Sequence, residues 1–308
     1  MARRIPDRPR GRVLVFLKGG IGDVVFALPL LEDLRRGYPD AELVALTHDQ
    51  GADVLRHAPA VDSVRSTGPM SARASVSAAL GALGPGRFDV AVTPVRSARA
   101  AWLLVRTGAP VRAGFGGGPE ALLLTHRAPP SPFEVVFSRR FERLATALGL
   151  PTGAPGRLLV AAPERTEAER RLAARGAQAL LVGGVEDRSR ARDIAAGAPP
   201  GAALDRTGAS IGDTLAELSL ADAAVGLDSG LSHAGVALGI PTALLFGPND
   251  PASVLPVAHA RLLTQPLPCR PCNRAGKKRC PEGHHRCMRD TTPAQVLSAL
   301  DALGLTAR

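Results

Sequence analysis

Short apolar runs alternate with segments of helical periodicity along most of the chain, and this alternation narrows the range of possible folds more than any other feature. The first run, residues 13–17 (VLVFL), is continuously apolar, as in a parallel strand that is covered on both faces. A glycine-rich loop and a segment of helical spacing, residues 24–36, follow it. Strands and helices that alternate in this way predict an α/β fold built on parallel sheets.

The alternation occurs on both sides of a stretch rich in proline and glycine at residues 151–156, which is the best linker candidate. A length of 308 residues suits two domains of about 150 residues each. We predict Rossmann-like domains at residues 1–152 and 153–308, the second ending in a cysteine-rich loop and a closing helix. Parallel sheets bind ligands at the carboxyl ends of their strands, so two such domains predict an interdomain cleft as the ligand site.

The charge and the apolar pattern restrict the partners and the location of the protein. A formal net charge of +10 favours an anionic partner, such as a phosphorylated glycolipid, a nucleic acid or a membrane face. We expect no nucleic-acid partner, because the sequence contains no RNA-binding aromatic motif, zinc-finger pattern or basic helix with heptads. No apolar run reaches the about 18 residues that span a bilayer, and no apolar signal core follows the basic N-terminus. We therefore expect a cytoplasmic protein, and a monomer.

The first candidate site is the loop at residues 18–23 (KGGIGD), between a predicted strand and a predicted helix. Glycines let the backbone approach a ligand closely, and a helix N-terminus attracts anions, so Lys18, Gly20 and Gly22 are candidate binding residues. A carboxylate at this position, Asp23, can take a proton from a hydroxyl or can simply cap the helix. Because Gly22 is followed directly by Asp23, the loop is not the dinucleotide fingerprint, which disfavours an NAD-dependent oxidoreductase.

A second strand, turn and helix succession begins at residues 226–233 (GLDSGLSH). Ser229 and Gly230 can offer a hydroxyl and backbone N–H groups to a pyrophosphate at the helix N-terminus. Asp228 can accept hydrogen bonds from sugar hydroxyls, and His233 lies one helical turn further on. The alternative interpretation is a capped helix with a buried histidine.

A third strand end carries Gly183 and Gly184, followed by Glu186 and Asp187. Either acid is a candidate acceptor of hydrogen bonds from ribose or adenine. An ordinary loop with helix-capping acids explains the same pattern equally well.

Four cysteines lie within 19 residues, at Cys269, Cys272, Cys280 and Cys287. A structural zinc site and a packed loop of free thiols are both open interpretations, whereas disulfides are disfavoured in a cytoplasm. The same segment is the most basic stretch of the chain, suited either to phosphate groups and an anionic membrane face or to plain solvation. Its cations are Arg270, Arg274, Lys277, Lys278, Arg279, Arg286 and Arg289.

Taken together and in order, these segments resemble the ADP-heptose:lipopolysaccharide heptosyltransferases of glycosyltransferase family 9. The resemblance rests on residues 12–46, on the LVGGVEDRSRARDIAA segment, on VGLDSGLSHAGVALGIPTALLFGPNDP and on the cysteine segment. It implies a GT-B-like architecture with an acceptor-binding first domain and a nucleotide-sugar-binding second domain, and an inverting transfer of heptose that needs no metal or other cofactor. The implied partners are ADP-heptose and an anionic glycolipid of the lipopolysaccharide inner core, with peripheral contact to the inner face of the cytoplasmic membrane.

The resemblance also assigns roles to individual residues. Asp23 becomes the catalytic base, while Lys18, Gly20 and Gly22 become acceptor-binding residues. The donor-binding residues become Gly183, Gly184, Glu186, Asp187, Asp228, Ser229, Gly230 and His233, where Ser229 replaces the threonine that is usual in the family.

The start of the second domain departs from the family pattern. Family members carry a Pro-Gly-Ala loop and a Lys-x-Trp-Pro element there, and this chain has neither between residues 157 and 184. We expect a reduced first strand at residues 158–162 and a helix at residues 164–175. The departure leaves a second hypothesis open, a family member with impaired catalysis that acts as a nucleotide- or glycan-binding protein.

Overall fold

A computed structural model describes residues 11–71, 75–129, 139–173, 179–254, 257–272 and 280–305. The first half of the chain forms one sheet of six strands, all parallel. These strands are β1 (Arg12–Phe16), β2 (Glu42–Thr47), β3 (Ser63–Ser66), β4 (Val90–Thr93), β5 (Val111–Phe115) and β6 (His126–Ala128). Their order, β3-β2-β1-β4-β5-β6, is that of the doubly wound dinucleotide-binding fold. The α/β prediction is confirmed for this half.

Six α-helices in the described part of the first half cover this sheet, and the buried side chains form a core on each of its faces. They are α1 (Ile21–Phe26), α2 (Leu28–Gly37), α3 (Asp49–Leu55), α4 (Val76–Leu83), α5 (Ala98–Arg106) and α6 (Arg139–Ala147). The helix predicted over residues 24–36 is two helices that meet at Ala27. Pro29, which has no N–H to donate, occupies the first turn of α2, the position where a helix tolerates it.

The strands of the second half separate into two parallel sheets. The described elements are α7 (Ala162–Ala173), β7 (Ala179–Leu181), α8 (Arg188–Gly197), β8 (Ala203–Asp205), α9 (Ile211–Leu218), β9 (Ala224–Leu227), α10 (Gly230–Ala237), β10 (Thr242–Phe246), β11 (Ala260–Thr264), α11 (Arg286–Arg289) and α12 (Pro293–Asp301). One sheet pairs β7 with β8, and the other has the order β11-β10-β9. The closing helix is confirmed, with Thr292 capping α12 and Pro293 in its first turn.

The second half forms two sheets because one predicted strand is missing. The strand predicted over residues 158–162 does not form, because its backbone donors are used elsewhere. The Leu158 N–H donates to the carbonyl of Ala237 at 2.9 Å, and the Leu159 N–H donates to the carbonyl of His57 at 2.7 Å. The first strand of a doubly wound sheet lies at its centre. Without that strand β7 and β9 do not pair, and the side chains of Val225 and Leu227 on β9 are 52% and 56% exposed.

The linker between the halves packs on helix α2. The Ala154 N–H donates to Oδ1 of Asp33 at 3.1 Å, and the Arg157 guanidinium pairs with the carboxylate of Glu32 at 3.2 Å. Regular structure stops after α6 and resumes at α7, so the interruption falls where the composition predicts a linker. The boundary after residue 152 stays a prediction.

In the described parts of the chain, no helix combines the length and the apolar character needed to cross a membrane.

One ion pair of the second half provides a stability prediction. The Arg206 guanidinium donates to both carboxylate oxygens of Glu217, with Nε at 2.9 and 3.0 Å, and the Glu217 side chain is fully buried. Arg206→Ala leaves that carboxylate buried without its partner, and we expect it to lower the free energy of unfolding by about 3 kcal/mol. Urea unfolding followed by circular dichroism measures the change.

The control is Arg170→Ala. Arg170 makes an equally bidentate pair with Glu167, at 3.0 and 2.8 Å, but on the surface of α7. Exposed pairs contribute little, so this variant should unfold close to the wild type. Equal losses in the two variants would contradict the importance of burial at Glu217.

Candidate active site

The two glycine loops that the sequence singled out come into direct contact. Helices α1 and α10 pack against each other at their N-terminal ends. A Cβ built on Gly230 would lie 2.8 Å from the backbone nitrogen of Gly22 and 2.8 Å from Cβ of Ile21. Only a residue without a side chain allows the backbones to approach this closely. The carboxyl end of β1 in the first half therefore faces the carboxyl end of β9 in the second, as the cleft hypothesis requires.

The loop before α1 is held in shape by Asp23 and by glycine. Gly19 has φ of +139°, and a Cβ there would lie 2.2 Å from Oδ2 of Asp23. The Gly20 N–H donates to the same oxygen at 2.9 Å, so Asp23 caps α1 while its side chain stays exposed. The capping interpretation is thus correct, and it is compatible with a catalytic role because the carboxylate reaches solvent.

His48 supports this loop, although it was not among the site residues predicted from the sequence. Nε2 of His48 forms a hydrogen bond with the Gly19 carbonyl, and its Nδ1 accepts from the Gly51 N–H at 3.4 Å. Together the two bonds indicate the tautomer with the proton on Nε2. The side chain is buried at the end of β2, next to β1 in the sheet. A histidine directly after the second strand was the signal that could have marked it.

The charge of Arg140 interacts with that of Asp23. Burial lowers the pKa of Arg140, with the charge of Arg96 adding to the effect and that of Asp23 opposing it. The Arg140 guanidinium lies over the ring of Phe115, 5.4 Å from its centroid. The guanidiniums of Arg140 and Arg96 lie close enough to interact, and together they give this side of the site a positive potential that suits an anionic ligand. Sequence spacing contained no signal for either arginine, because they come from different segments.

Lys18 lines a small cavity in the first half. The cavity has a volume of about 90 Å³, and its polar lining includes His48, Ser97 and Arg99. Lys18 itself is exposed. The predicted acceptor-binding residue thus lies beside a pocket at the carboxyl edge of the sheet, where ligands of such folds bind.

Asp228 is held by hydrogen bonds to both of its carboxylate oxygens. Nε2 of His233 lies 2.7 Å from Oδ1, and Nδ2 of Asn249 donates to Oδ2 at 2.5 Å. Burial by itself raises the pKa of Asp228, but the hydrogen bonds from His233 and Asn249 outweigh it, so the pKa lies below its ordinary value. Asn249 was not among the site residues predicted from the sequence.

His233 and Ser229 have different surroundings in the structure. His233 is buried against the ring of Phe26, with ring centroids 4.6 Å apart, so it orients Asp228 from inside the protein. The interpretation as a buried histidine is therefore correct in its placement. Ser229 begins α10 without a side-chain cap bond, and its hydroxyl lies 3.1 Å from that of Ser232. The N–H groups of the first turn of α10 therefore receive no acceptor from Ser229.

The Gly183–Gly184 loop has the geometry of a capped turn. Gly184 precedes a single 3-10 turn that contains Glu186, and its N–H donates to Oδ2 of Asp187 at 3.1 Å. The Gly183 carbonyl accepts from the Gly208 N–H at 2.9 Å, which ties the loop to the segment after β8. These described bonds stay within the β7–β8 part of the second half, and Asp187 acts there as a cap.

A larger, mostly apolar pocket of about 380 Å³ lies between the halves, against α1, α10 and the linker. Phe26, Leu158 and Val236 are among its lining residues, and one edge is His233. Its lining includes neither Asp23 nor Asp228, so the pocket adjoins the polar site through His233 only.

The described part of the cysteine segment brings its thiols near one another. Sγ of Cys269 lies 3.9 Å from Nε2 of His284. Burial and the neighbouring thiols raise the pKa of Cys287. Backbone N–H groups, first that of His285, lower the pKa of Cys280. Within the described residues, which include all four cysteines, no three His, Cys, Asp or Glu side chains are arranged to hold a metal ion. The thiols of Cys269, Cys272 and Cys280 lie near enough to Cys287 to influence it, and the zinc interpretation stays a prediction.

The basic stretch is also less available than its composition suggests. The Arg270 guanidinium is bonded to backbone carbonyls of its own chain, and Nε of Arg286 donates to Asp290 at 2.8 Å. Residues 273–279, with the other cations before Cys280, lie outside the described part of the chain.

Comparison with known proteins agrees with this arrangement. The family model described as glycosyltransferase family 9 (heptosyltransferase) matches residues 166–283. Lipopolysaccharide heptosyltransferase 1 of Pseudomonas aeruginosa is 26% identical over 306 aligned positions, covering 85% of this chain and 86% of the relative. The chain is therefore similar to glycosyltransferase family 9 over residues 166–283 and to a heptosyltransferase over most of its length, which supports a glycosyltransferase.

Solved glycosyltransferase structures share the fold of this chain. A family 9 glycosyl transferase from Veillonella parvula superposes with a TM-score of 0.80 at 17% identity, covering 97% of this chain and 99% of that one. The Escherichia coli ADP-heptose lps heptosyltransferase II superposes with a TM-score of 0.77 at 21% identity, covering 95% and 98%. The GT-B-like architecture is therefore confirmed for this chain.

Proposed function

We propose that this glycosyltransferase transfers a heptose from ADP-heptose to an acceptor of the lipopolysaccharide inner core, with inversion at the anomeric carbon. One observation carries the proposal: the loop with Asp23 and the N-terminus of α10 meet at Gly22 and Gly230. An exposed carboxylate and an open helix N-terminus thus lie side by side, as a base and a diphosphate site must. The names of two relatives support these substrates. Both are lipopolysaccharide heptosyltransferases by name, and one of the two names includes ADP-heptose.

In this proposal the residues divide the reaction between the two halves. Asp23 removes the proton of the acceptor hydroxyl as its oxygen attacks C1 of the heptose, and the bond from C1 to the diphosphate breaks. The first-turn N–H groups of α10, with Ser229 and Gly230, stabilise the negative charge that develops on ADP. Lys18, Arg96 and Arg140 favour an anionic acceptor, and Gly20 and Gly22 allow it to approach. No step needs a metal ion, and we place the reaction at the cytoplasmic face of the inner membrane.

Asp228 is assigned to the donor site because it joins α10 to the turn after β10. We expect Asp228→Ala to raise the KM for the donor about tenfold, the effect of losing charge-assisted hydrogen bonds that order the loop. Initial rates at varied ADP-heptose measure it. Asp222→Ala, which removes an exposed carboxylate just before β9, is the control and should leave the KM unchanged. An unchanged KM in Asp228→Ala would remove Asp228 from the donor site.

The decisive experiment for the function is incubation with a panel of nucleotide sugars, with and without core-oligosaccharide acceptor. Release of ADP from ADP-heptose only when acceptor is present, with heptose found on the acceptor by mass spectrometry, is the expected result. Tight binding of ADP in calorimetry without any transfer would overturn the enzymatic proposal and favour the binding-protein alternative. Transfer from another nucleotide sugar would replace heptose as the donor.

A further inference from the structure

The turn after β10 reaches Asp228 from the side opposite to α10. Residues 247–249 follow the last residue of β10, and Asn249 donates from Nδ2 to Oδ2 of Asp228. His233 of α10 engages the other oxygen, so Asp228 has one partner on each element. The conformation of this turn therefore decides whether Asp228 keeps its second hydrogen bond.

This turn is held by the first residues of the cysteine segment. Three successive backbone carbonyls of the turn accept hydrogen bonds from this segment. Nε of Arg270 donates to the Gly247 carbonyl at 2.7 Å, and Nη2 of Arg270 donates to the Asn249 carbonyl at 3.3 Å. Between them, the Cys272 N–H donates to the Pro248 carbonyl at 3.0 Å. The remaining Nη1 of Arg270 donates to the Gln265 carbonyl at 2.9 Å. One guanidinium thus links the end of β10 to the segment after β11.

The chemistry of this contact selects arginine. A guanidinium presents its N–H donors in a planar, fixed fork, which can reach carbonyls of residues 247, 249 and 265 at the same time. A lysine ammonium offers three donors from a single point and does not span the same acceptors. The side chain of Met288 on α11 closes the other flank of the turn, since a Cβ on Gly247 would lie 2.9 Å from its Sδ.

We infer that Arg270 is a positioning residue of the donor site, which fixes the turn at residues 247–249 so that Asn249 holds Asp228. Arg270 acts through Asn249 and touches no substrate. The inference deepens the proposed function, and rests on it only for the consequence that Asp228 serves the donor.

The experiment compares Arg270→Ala, Arg270→Lys, Asn249→Ala and the double variant Arg270→Ala/Asn249→Ala. Its primary readout is the titration of the Asp228 carboxyl by NMR with labelled aspartate, which requires no nucleotide. The hydrogen bond from Asn249 helps to keep the pKa of Asp228 low, so its loss should make Asp228 take up its proton at a higher pH. We expect Arg270→Ala and Asn249→Ala to shift this titration upward by the same amount, and the double variant to shift it no further.

The second readout is the dissociation constant of ADP in calorimetry. We expect it to increase about tenfold in Arg270→Ala, as after loss of one hydrogen bond to a charged group, and Arg270→Lys to restore little of it. The control is Arg261→Ala, because Arg261 also donates to three backbone carbonyls of the second half, at 3.3, 3.3 and 3.4 Å, but at the exposed strand β11. A purely structural loss would lower the thermal stability of both variants and leave the Asp228 titration unchanged.

The outcomes separate the inference from the proposed function. A wild-type titration of Asp228 in Arg270→Ala, or shifts that add in the double variant, would overturn the positioning role whatever the protein binds. Absence of ADP binding by the wild type, together with the expected shifts, would keep the positioning role and overturn the donor assignment of Asp228.

Discussion

Replacing Asp23 by asparagine is expected to lower kcat for heptose transfer by about 10²–10⁴-fold, the usual contribution of a general base. Asparagine has nearly the same shape and keeps an oxygen that can accept from the Gly20 N–H, so the cap on α1 survives the change. What the variant loses is the ability to take a proton from the acceptor. Steady-state rates with saturating donor and acceptor measure the effect.

The matched control for this change is Asp53→Asn, which alters the same chemical group in the same half of the protein. Asp53 lies on α3 and pairs with Arg56 at the surface. Circular dichroism should show both variants folded, and Asp53→Asn should retain wild-type turnover. If Asp23→Asn retains turnover as well, Asp23 is a capping residue only, and another group must act as the base.

A second large effect is expected from Gly230→Ala. The added Cβ would lie 2.8 Å from the backbone nitrogen of Gly22, and a backbone atom cannot turn aside as a flexible side chain can. The ends of α1 and α10 would have to separate, at a cost of about 1–3 kcal/mol for an overpacked contact. We expect a lower melting temperature and a strongly reduced kcat, because the separation moves Asp23 away from the diphosphate site.

Gly22→Ala tests the same interface from the other side. A Cβ on Gly22 would meet Cα of Gly230 at 3.7 Å, an ordinary van der Waals distance, so the packing of the helices should tolerate it. Thermal unfolding should therefore place Gly22→Ala close to the wild type and Gly230→Ala well below it. Equal melting temperatures for Gly230→Ala and the wild type would show that α1 and α10 are not in close contact in solution.

The split sheet of the second half bears on how the donor site is stabilised. In a continuous doubly wound sheet, β9 would be a central strand with partners on both sides. Among the described strands, β9 pairs with β10 alone, and Asp228 follows it directly. The Asp228 N–H still donates to the carbonyl of Leu245 on β10 at 3.1 Å, while its carboxylate is held by side-chain bonds to His233 and Asn249. The proposed role of Arg270 acts through the second of these side-chain bonds.

The sequence by itself determined the local elements that carry the chemistry. An apolar run marked β1 because a parallel strand covered on both faces needs apolar residues at every position. Glycines, together with the acids that follow strands, marked the loops at residues 18–23, 183–187 and 226–233, since these depend on backbone conformation within a few residues. The placement of Asp23 and Asp228 at strand ends followed from the same local rules.

Only the tertiary structure decided how these elements are joined. The site depends on hydrogen bonds from His48, Asn249 and Arg270 to groups between 21 and 29 residues away in the chain. A periodic pattern in the sequence contains no signal for such distant pairs. The predicted strand at residues 158–162 failed for the same reason. Its apolar composition suits a strand, but its N–H groups donate to Ala237 and His57, which lie in different halves of the protein. Local propensity sets what a segment can form, whereas the competition for hydrogen-bond partners after folding sets what it does form.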